Sequence, residues 1–449
     1  MTNTKHLLLI TSLVAVVIAT LLGFVCVLTF KTSKTKNSSG LSFPYCAVSF
    51  DRVDPIGCIG FSPAFNLENK LKHLGVKSAL ERKKHNEVEN SSAGAEALSS
   101  LHVALEMKSR GKLEKAQKLF WHALALHPSH PDVLNHYGEF IEEQENDVIQ
   151  ADQLYTKALV YRPGHSKALS NHQRTLPLVE EMDRNRLQRI DAKRYLLTKI
   201  PNTSSSLKRV KQEAYFQHVY HTVAIEGNTM SLSQTRHILE TRMAVAGKSI
   251  FEHNEILGLD AALSFVNNTL VRRIGELKLE DILDIHKRVL GFNDPVEAGK
   301  FRRTQVWVGK HIPAHPLHMR NLMKDFLVWL NAEESQALHP IVFAALAHYK
   351  LAYIHPFIDG NGRTARLLMN LILMRAGFPA VIIPKGEKQL YFENLELADE
   401  GDIRPFIRFI ADCTEKTLDV YLYATKEYPD ELPELEGDKY DYQSPTIEE

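Results

Sequence analysis

His355-Pro356-Phe357-Ile358-Asp359-Gly360-Asn361-Gly362-Arg363-Thr364-Ala365-Arg366 joins two helical patterns, one ending near Ile354 and the other starting near Arg363. Gly360 and Gly362 permit positive φ and close approach, so consecutive amides can form an anion-binding nest. Those amides open a helix, and its dipole adds to the attraction for phosphate. Asn361 can add a side-chain donor to the same anion. Arg363 and Arg366 lie three apart, about one turn, so both guanidinium groups can reach forward toward it. Asp359 offers the hard oxygen that Mg²⁺ prefers. His355 titrates near neutrality and is placed to deprotonate an attacking hydroxyl. A turn alone would require neither the His, the Asp nor the two Arg.

Outward from this segment the chain reads as mainly α. Ile282, Ile285, Val289 and Leu290 share one helix face; Leu322, Phe326, Trp329 and Leu330 share another. Pro340 opens a helix running through Ala344, Ala347 and Leu351, and Gly377 with Pro379 closes the helix begun near Arg363. One stretch breaks the pattern: Val306-Trp307-Val308-Gly309-Lys310-His311-Ile312-Pro313 predicts a β-hairpin turning near Gly309. Upstream, Thr222-Val223-Ala224-Ile225-Glu226-Gly227-Asn228 predicts a helix end. A Glu there opposes the helix dipole, so Glu226 calls for a nearby cation.

Between 97 and 172 the series Ala116, Phe120, Ala123, Pro128 recurs as Ala151, Tyr155, Ala158, Pro163. Small residues around an aromatic let paired helices approach closely, and the proline ends the second helix. The pattern resembles two tetratricopeptide repeats, and a linking helix at 173–200 with Leu187, Ile190 and Leu197 on one face caps them. Such stacked pairs present a groove for a partner. Pro201 to Ser206 reads as a linker.

At the amino terminus, residues 1–6 precede a run of 24 uncharged residues, Leu7–Phe30, long enough to cross a bilayer as a single-span anchor. Lys5 before it and Lys31, Lys34 and Lys36 after it leave the orientation open by charge. Residues 31–96 read as a stalk, and 426–449, with nine acids against two lysines and three prolines, as a disordered tail. N-x-[ST] sequons occur at Asn267, Asn37, Asn90 and Asn202. Four cysteines are too few for a disulfide scaffold, though Cys46 and Cys58 can either pair or stay free. With 54 basic and 54 acidic residues the net charge is zero, which argues against a nucleic-acid binder.

The segment 355–366 resembles the Fic motif, HxFx[DE]GNGRxxR, at every defined position, and Thr222, Glu226 and Gly227 resemble the family's inhibitory helix, [ST]xxxE[GN]. The resemblance implies an all-helical Fic domain over 207–425 that transfers AMP from ATP to a hydroxyl side chain of another protein. In it His355 is the base and Asp359 the ligand of Mg²⁺ (or Mn²⁺). Gly360, Asn361 and Gly362 cradle phosphates, Arg363 and Arg366 take the outer phosphates, and Glu226 pairs with Arg366 to block the γ-phosphate. Tyr391, Phe392 and Asp399 lie where the family contacts the nucleoside; relatives often carry Asn at the last position. The hairpin, with Val306, Trp307, Val308 and Gly309, corresponds to the flap that holds the acceptor.

The order of parts is similar to that of metazoan endoplasmic-reticulum Fic proteins. That implies a type II membrane protein with a lumenal body and a homodimer formed through Fic domains. The acceptor would be the lumenal Hsp70 chaperone BiP, which such proteins AMPylate and, through the Glu226 carboxylate, deAMPylate, acting on the unfolded protein response. Two other readings compete with it: a repeat-based co-chaperone with an inactive Fic core, and Fic chemistry with another nucleotide donor. Ala246-Gly247-Lys248-Ser249 lacks the first glycine of a phosphate loop, and His311 with His315 straddles Pro313, so neither is read as a site.

Overall fold

The computed structural model describes residues 92–425. The predicted anchor at 7–30, nearly all of the stalk, Asn37, Asn90, Cys46, Cys58 and the acidic tail at 426–449 lie outside the described residues. Among those described, no helix is long and apolar enough to cross a membrane.

Helices α1 (Ser92–Ser109) and α2 (Leu113–Leu126) form one hairpin, and α3 (Pro131–Glu145) and α4 (Val148–Tyr161) a second. Connections of two to four residues force each consecutive pair antiparallel. Pro131 starts α3 at a position where its missing N–H costs nothing. Asn146, left-handed at φ 56°, ends α3, and the Asp147 side chain then caps α4 by accepting from the Gln150 amide. The repeat series packs as its spacing predicts: Ala116, Phe120, Ala123, Ala151, Tyr155 and Ala158 are all fully buried. Gly138 lies directly against the Tyr155 ring, so the aromatic of one helix fits the small residue of the other.

Helix α5 (Ser166–Thr198) runs unbroken for 33 residues. The expected boundary at 172/173 therefore has no break in the chain, and Pro177 is carried inside the helix. Ala168 of α5 packs with Leu134, Ala158 and Leu159 of the repeats, while Leu187 and Ile190 join the large core of the carboxyl-terminal body.

That body comprises α6 (Ser205–Ile225), α7 (Leu232–Thr241), α8 (Ile250–Phe265), a π turn at Val266–Leu270, α9 (Leu279–Leu290) and α10 (Met319–Asn331). It continues through the short α11 (Glu333–Gln336), α12 (Pro340–Ile354), α13 (Asn361–Arg375), α14 (Lys388–Asp399) and α15 (Arg404–Ala424). The apolar faces read from the sequence on α9, α10 and α12 are all buried. Helix α13 is buried almost throughout, from Arg363 to Leu373, and the other helices surround it.

The predicted hairpin is reduced to a single antiparallel bridge, Val308 with His311, across a two-residue turn at Gly309 and Lys310; no strand forms among the described residues. Two features limit the ladder. Pro313 has no amide to donate, and the Gln305 side chain ties Val306 O and Pro313 O together where a further rung would form.

A buried ionic cluster docks the repeats onto the body. Asp152 of α4 accepts from Arg404 Nη1 of α15 at 2.6 Å, from Thr175 Oγ1 of α5 at 2.6 Å and from His172 Nδ1 at 2.8 Å. Arg404 also binds Asp402 and the Thr156 hydroxyl. Removing one member of a buried pair strands the other charge, at a cost of about 3 kcal/mol. Asp152→Ala is accordingly expected to loosen the repeats, read as faster amide hydrogen exchange across 92–161 than across 340–375.

Candidate active site

The site is built where α12 ends and α13 begins. A residue preceding proline is driven out of the right-handed helical region, so Pro356 stops α12 at Ile354. His355 then adopts a left-handed conformation, φ 50° and ψ 60°, which side chains other than glycine disfavour by about 1–2 kcal/mol. Its Nδ1 donates to Ala352 O at 3.3 Å, which leaves Nε2 as the acceptor. Burial is the main cause that pushes the His355 pKa down to about 4. The positive charge of Arg302 acts in the same direction, and the Ala352 contact opposes both.

Helix α13 starts from a left-handed Gly360 without a side-chain cap. The first-turn amides of Asn361, Gly362 and Arg363 therefore have no partner within the helix. This uncapped end, carrying the positive end of the helix dipole, has the geometry to attract an anion. The Asn361 side chain also bonds within the loop. Its Nδ2 donates to Phe357 O at 2.9 Å and its Oδ1 accepts from Phe357 N at 3.0 Å, so the side chain clasps the loop.

Both arginines are engaged by protein partners. Arg366 is fully buried; its Nη2 donates to Glu226 Oε1 at 2.5 Å and to Thr222 O at 3.0 Å, and its Nη1 donates to the Tyr391 hydroxyl at 3.3 Å. Burial, the largest single influence, depresses the Arg366 pKa; the Glu226 charge, Tyr391 and the hydrogen bonds to both together outweigh it and raise the pKa. Arg363 donates from Nη1 to Glu255 at 2.9 Å and from Nη2 to Asp359 at 2.8 Å. Glu226 thus finds the cation that its place at the end of α6 demanded. Its carboxylate lies so close to Gly362 that any side chain there would collide with it. It therefore lies against the start of α13.

The predicted nucleoside residues separate. Tyr391 is buried, with its hydroxyl against His348 Nε2 at 2.9 Å and Arg366, so it supports the arginine and presents no open face to a ligand. Phe392, next to it, is exposed, and Asp399 accepts from the Tyr349 hydroxyl at 3.1 Å. Burial raises the Asp399 pKa. On the flap, Trp307 is 69% exposed, Val308 and Gly309 are exposed and Val306 is half-buried. Of the sequons, Asn202 is exposed in the turn before α6 and Asn267 lies half-buried in the π turn.

Three further residues shape the site without a local signal. Glu255 of α8 is buried and joins Arg363 to the Asn228 amide group at 2.9 Å, two residues beyond Glu226. His286 of α9 stacks on Phe357 with centroids 3.7 Å apart. Its Nε2 donates to Asp359 O at 2.9 Å and its Nδ1 accepts from Gly299 N at 2.9 Å. A protonated ring would lose the second contact; burial, its largest influence, holds the His286 pKa down to about 4. Arg302 holds the carbonyl of His355.

Asp359 is the residue that fits a divalent cation. Its carboxylate is half-exposed, and each oxygen keeps a lone pair beyond the contacts to Gly360 N and Arg363. No cluster of three or more His, Cys, Asp or Glu side chains suited to a metal occurs among the described residues. A single such carboxylate is the kind of protein ligand that Mg²⁺ takes, with substrate phosphates and water completing its shell.

The Fic/DOC family model matches residues 276–373. Over 340 residues, 76% of this chain and 68% of each relative, the chain is 58% identical to the protein adenylyltransferase Fic of Aedes aegypti and 59% identical to that of Drosophila willistoni. The solved structure of Fic-1 from C. elegans is 46% identical, with a TM-score of 0.68 over 73% of this chain and 97% of that one. On this similarity and the site geometry together, the chain belongs to the Fic family, among its metazoan protein adenylyltransferases.

Proposed function

We propose that this AMP-transferase moves AMP from ATP to a Ser or Thr hydroxyl of a lumenal Hsp70 chaperone, BiP, and that Glu226 turns the same site to removing it. The observation that carries the reading is the Glu226–Arg366 pair, seated over the uncapped start of α13 with His355 one loop away. In the forward direction the hydroxyl oxygen attacks the α-phosphorus. A new O–P bond forms, the bond to the pyrophosphate oxygen breaks, and the proton passes to His355 Nε2. The amides of Asn361, Gly362 and Arg363 hold the phosphates, and Arg366 is available to them only when Glu226 withdraws. Mg²⁺ held at Asp359 supplies charge neutralisation of the phosphates. In reverse, a water oriented by Glu226 attacks the phosphorus of the AMP ester and gives its proton to that carboxylate; the P–O bond to the side-chain oxygen breaks, and protonated His355 gives its proton to this departing oxygen.

The flap suits an extended acceptor segment. Its backbone beyond the Val308–His311 bridge has no ladder partner among the described residues, so a peptide can add there by main-chain bonds. The helical hairpins α1–α4, read as tetratricopeptide repeats, provide a second surface for the chaperone. An amino-terminal anchor with a lumenal body and a homodimer through the catalytic domains complete the proposal. Protein synthesised in microsomes is then expected to show a glycosidase-sensitive mobility shift that Asn→Gln at Asn202 and Asn267 reduces.

Glu226→Gly is expected to raise AMP transfer by about 10²-fold, the scale of one electrostatic contact to a transition state, and to abolish AMP release. His355→Ala should lower both reactions by about 10²–10⁴-fold. Mass spectrometry of the acceptor reads the added group; a mass other than AMP, or unchanged rates in Glu226→Gly, would overturn the reading. The depressed His355 pKa also fixes a pH dependence. The base works when neutral, and its pKa lies below the usual 6.5, so it stays neutral as pH falls through that value. In the Glu226→Gly background log kcat/KM should therefore stay flat between about pH 7.5 and 5.5, where an ordinary histidine would lose most of its activity.

A further inference from the structure

The segment between Gly299 and Arg302 grips the catalytic loop from outside. Arg302 is only 2% exposed, and none of the ion pairs among the described residues involves it. Its contacts run to main chain. Nε donates to His355 O at 2.7 Å, Nη1 to Thr304 O at 3.0 Å, Nη2 to Ala314 O at 2.5 Å, and its own amide to Pro356 O at 2.9 Å.

The positions of these acceptors define what the side chain joins. Thr304 is where the chain leaves the body for the flap and Ala314 is where it returns, so one planar fork closes the flap's two ends. The third acceptor belongs to His355 itself, the residue held in a disfavoured left-handed conformation. A strained conformation persists only where its surroundings determine it. The bond to Arg302 fixes the carbonyl that this conformation turns, leaving the ring directed by Nδ1 alone. A second tie runs parallel: His311, on the flap, donates from Nε2 to Tyr353 O at 2.9 Å, with the two rings 4.3 Å apart. The flap is thus fastened at its base and near its tip to the end of α12 that presents the histidine.

We propose that Arg302 is a positioning residue that couples the flap at 305–313 to His355, so that an acceptor segment seated on the flap sets the orientation of the histidine. This rests on reading His355 as the base and the flap as the acceptor seat. Lysine keeps the charge but, as a compact point donor, does not span three carbonyls in one plane. Glutamine lacks both charge and reach.

The test uses the full chain in the Glu226→Gly background, with the chaperone as acceptor. Arg302→Gln is expected to lower kcat by about 10²-fold, the cost of roughly an ångström of misplacement, with KM for ATP essentially unchanged. Arg302→Lys should fall between it and the parent. Amide exchange should quicken together in 305–313 and 353–357. Arg375→Gln is the matched control: Arg375 likewise grips backbone carbonyls, those of Leu270, Arg273 and Gly275, at the far end of α13, about 20 Å from Asn361 at 1.5 Å per residue. It should lose stability without losing kcat. A kcat for Arg302→Gln no lower than that of an equally destabilised Arg375→Gln overturns the coupling, as does a flap that loosens while 353–357 stays protected. Those exchange data need no acceptor, so they judge the coupling by itself, whereas full transfer by His355→Ala would instead sink the assignment of the base.

Discussion

A guanidinium buried in a helical core has to be surrounded by acceptors, and the placement of Arg366 organises everything near it. Four helices meet there: α6 brings Thr222 O and, at its end, Glu226; α14 brings Tyr391; α12 brings His348 behind Tyr391; and α13 carries the arginine. Only one of these partners is charged. When Glu226 is present the cation is neutralised within the protein. When it departs, Arg366 keeps only neutral partners, and a buried cation in that state attracts an anion strongly. Under the proposed function, inhibition and phosphate binding are two ways of satisfying one side chain. The start of α13 reinforces the competition, because its uncapped amides attract either carboxylate or phosphate.

Much of this was legible in the sequence because it is local. The residues from His355 to Arg366 carry their chemistry within three turns' worth of chain. Glu226 announced itself by opposing the dipole at the end of a helix. The helical faces of α9, α10 and α12 followed from spacing alone. What escaped depends on distant partners. Arg302 and Arg303 are adjacent and identical in type, yet one is buried among carbonyls and the other exposed, and no periodicity separates them. Glu255 and His286 sit on helices whose local sequence does not single them out, and their contacts to Arg363 and Asp359 span 108 and 73 positions. Asn361 and Tyr391 also make protein contacts, to Phe357 and to Arg366, that the sequence does not announce. A tight loop needs an internal clasp before it can present amides, and a buried arginine needs a backstop. The hairpin was overestimated because alternation of Val, Trp and Val signals a strand without showing that a ladder has room to grow beyond Gln305 and Pro313.

Neutral histidines recur through the site for one reason. His286, His348 and His355 are all surrounded by packed atoms or by arginines, and burial in each case disfavours the cation. Each can then use one nitrogen as donor and the other as acceptor. That directional pair is what allows His286 to bridge Gly299 N and Asp359 O, and what leaves the outer nitrogen of His355 able to accept a proton.

Helix α5 belongs to two cores at once, with Ala168 in the repeats and Leu187 and Ile190 in the body. A rigid helix transmits angle as well as distance. Adding or deleting one residue between those positions would turn the repeats by about 100° about the helix axis and shift them 1.5 Å. Helices α1–α4 would then face another direction, and Asp152 would no longer meet Arg404. The interval from 168 to 187 therefore behaves like the teeth of a gear: substitutions can accumulate along it, but its length is fixed.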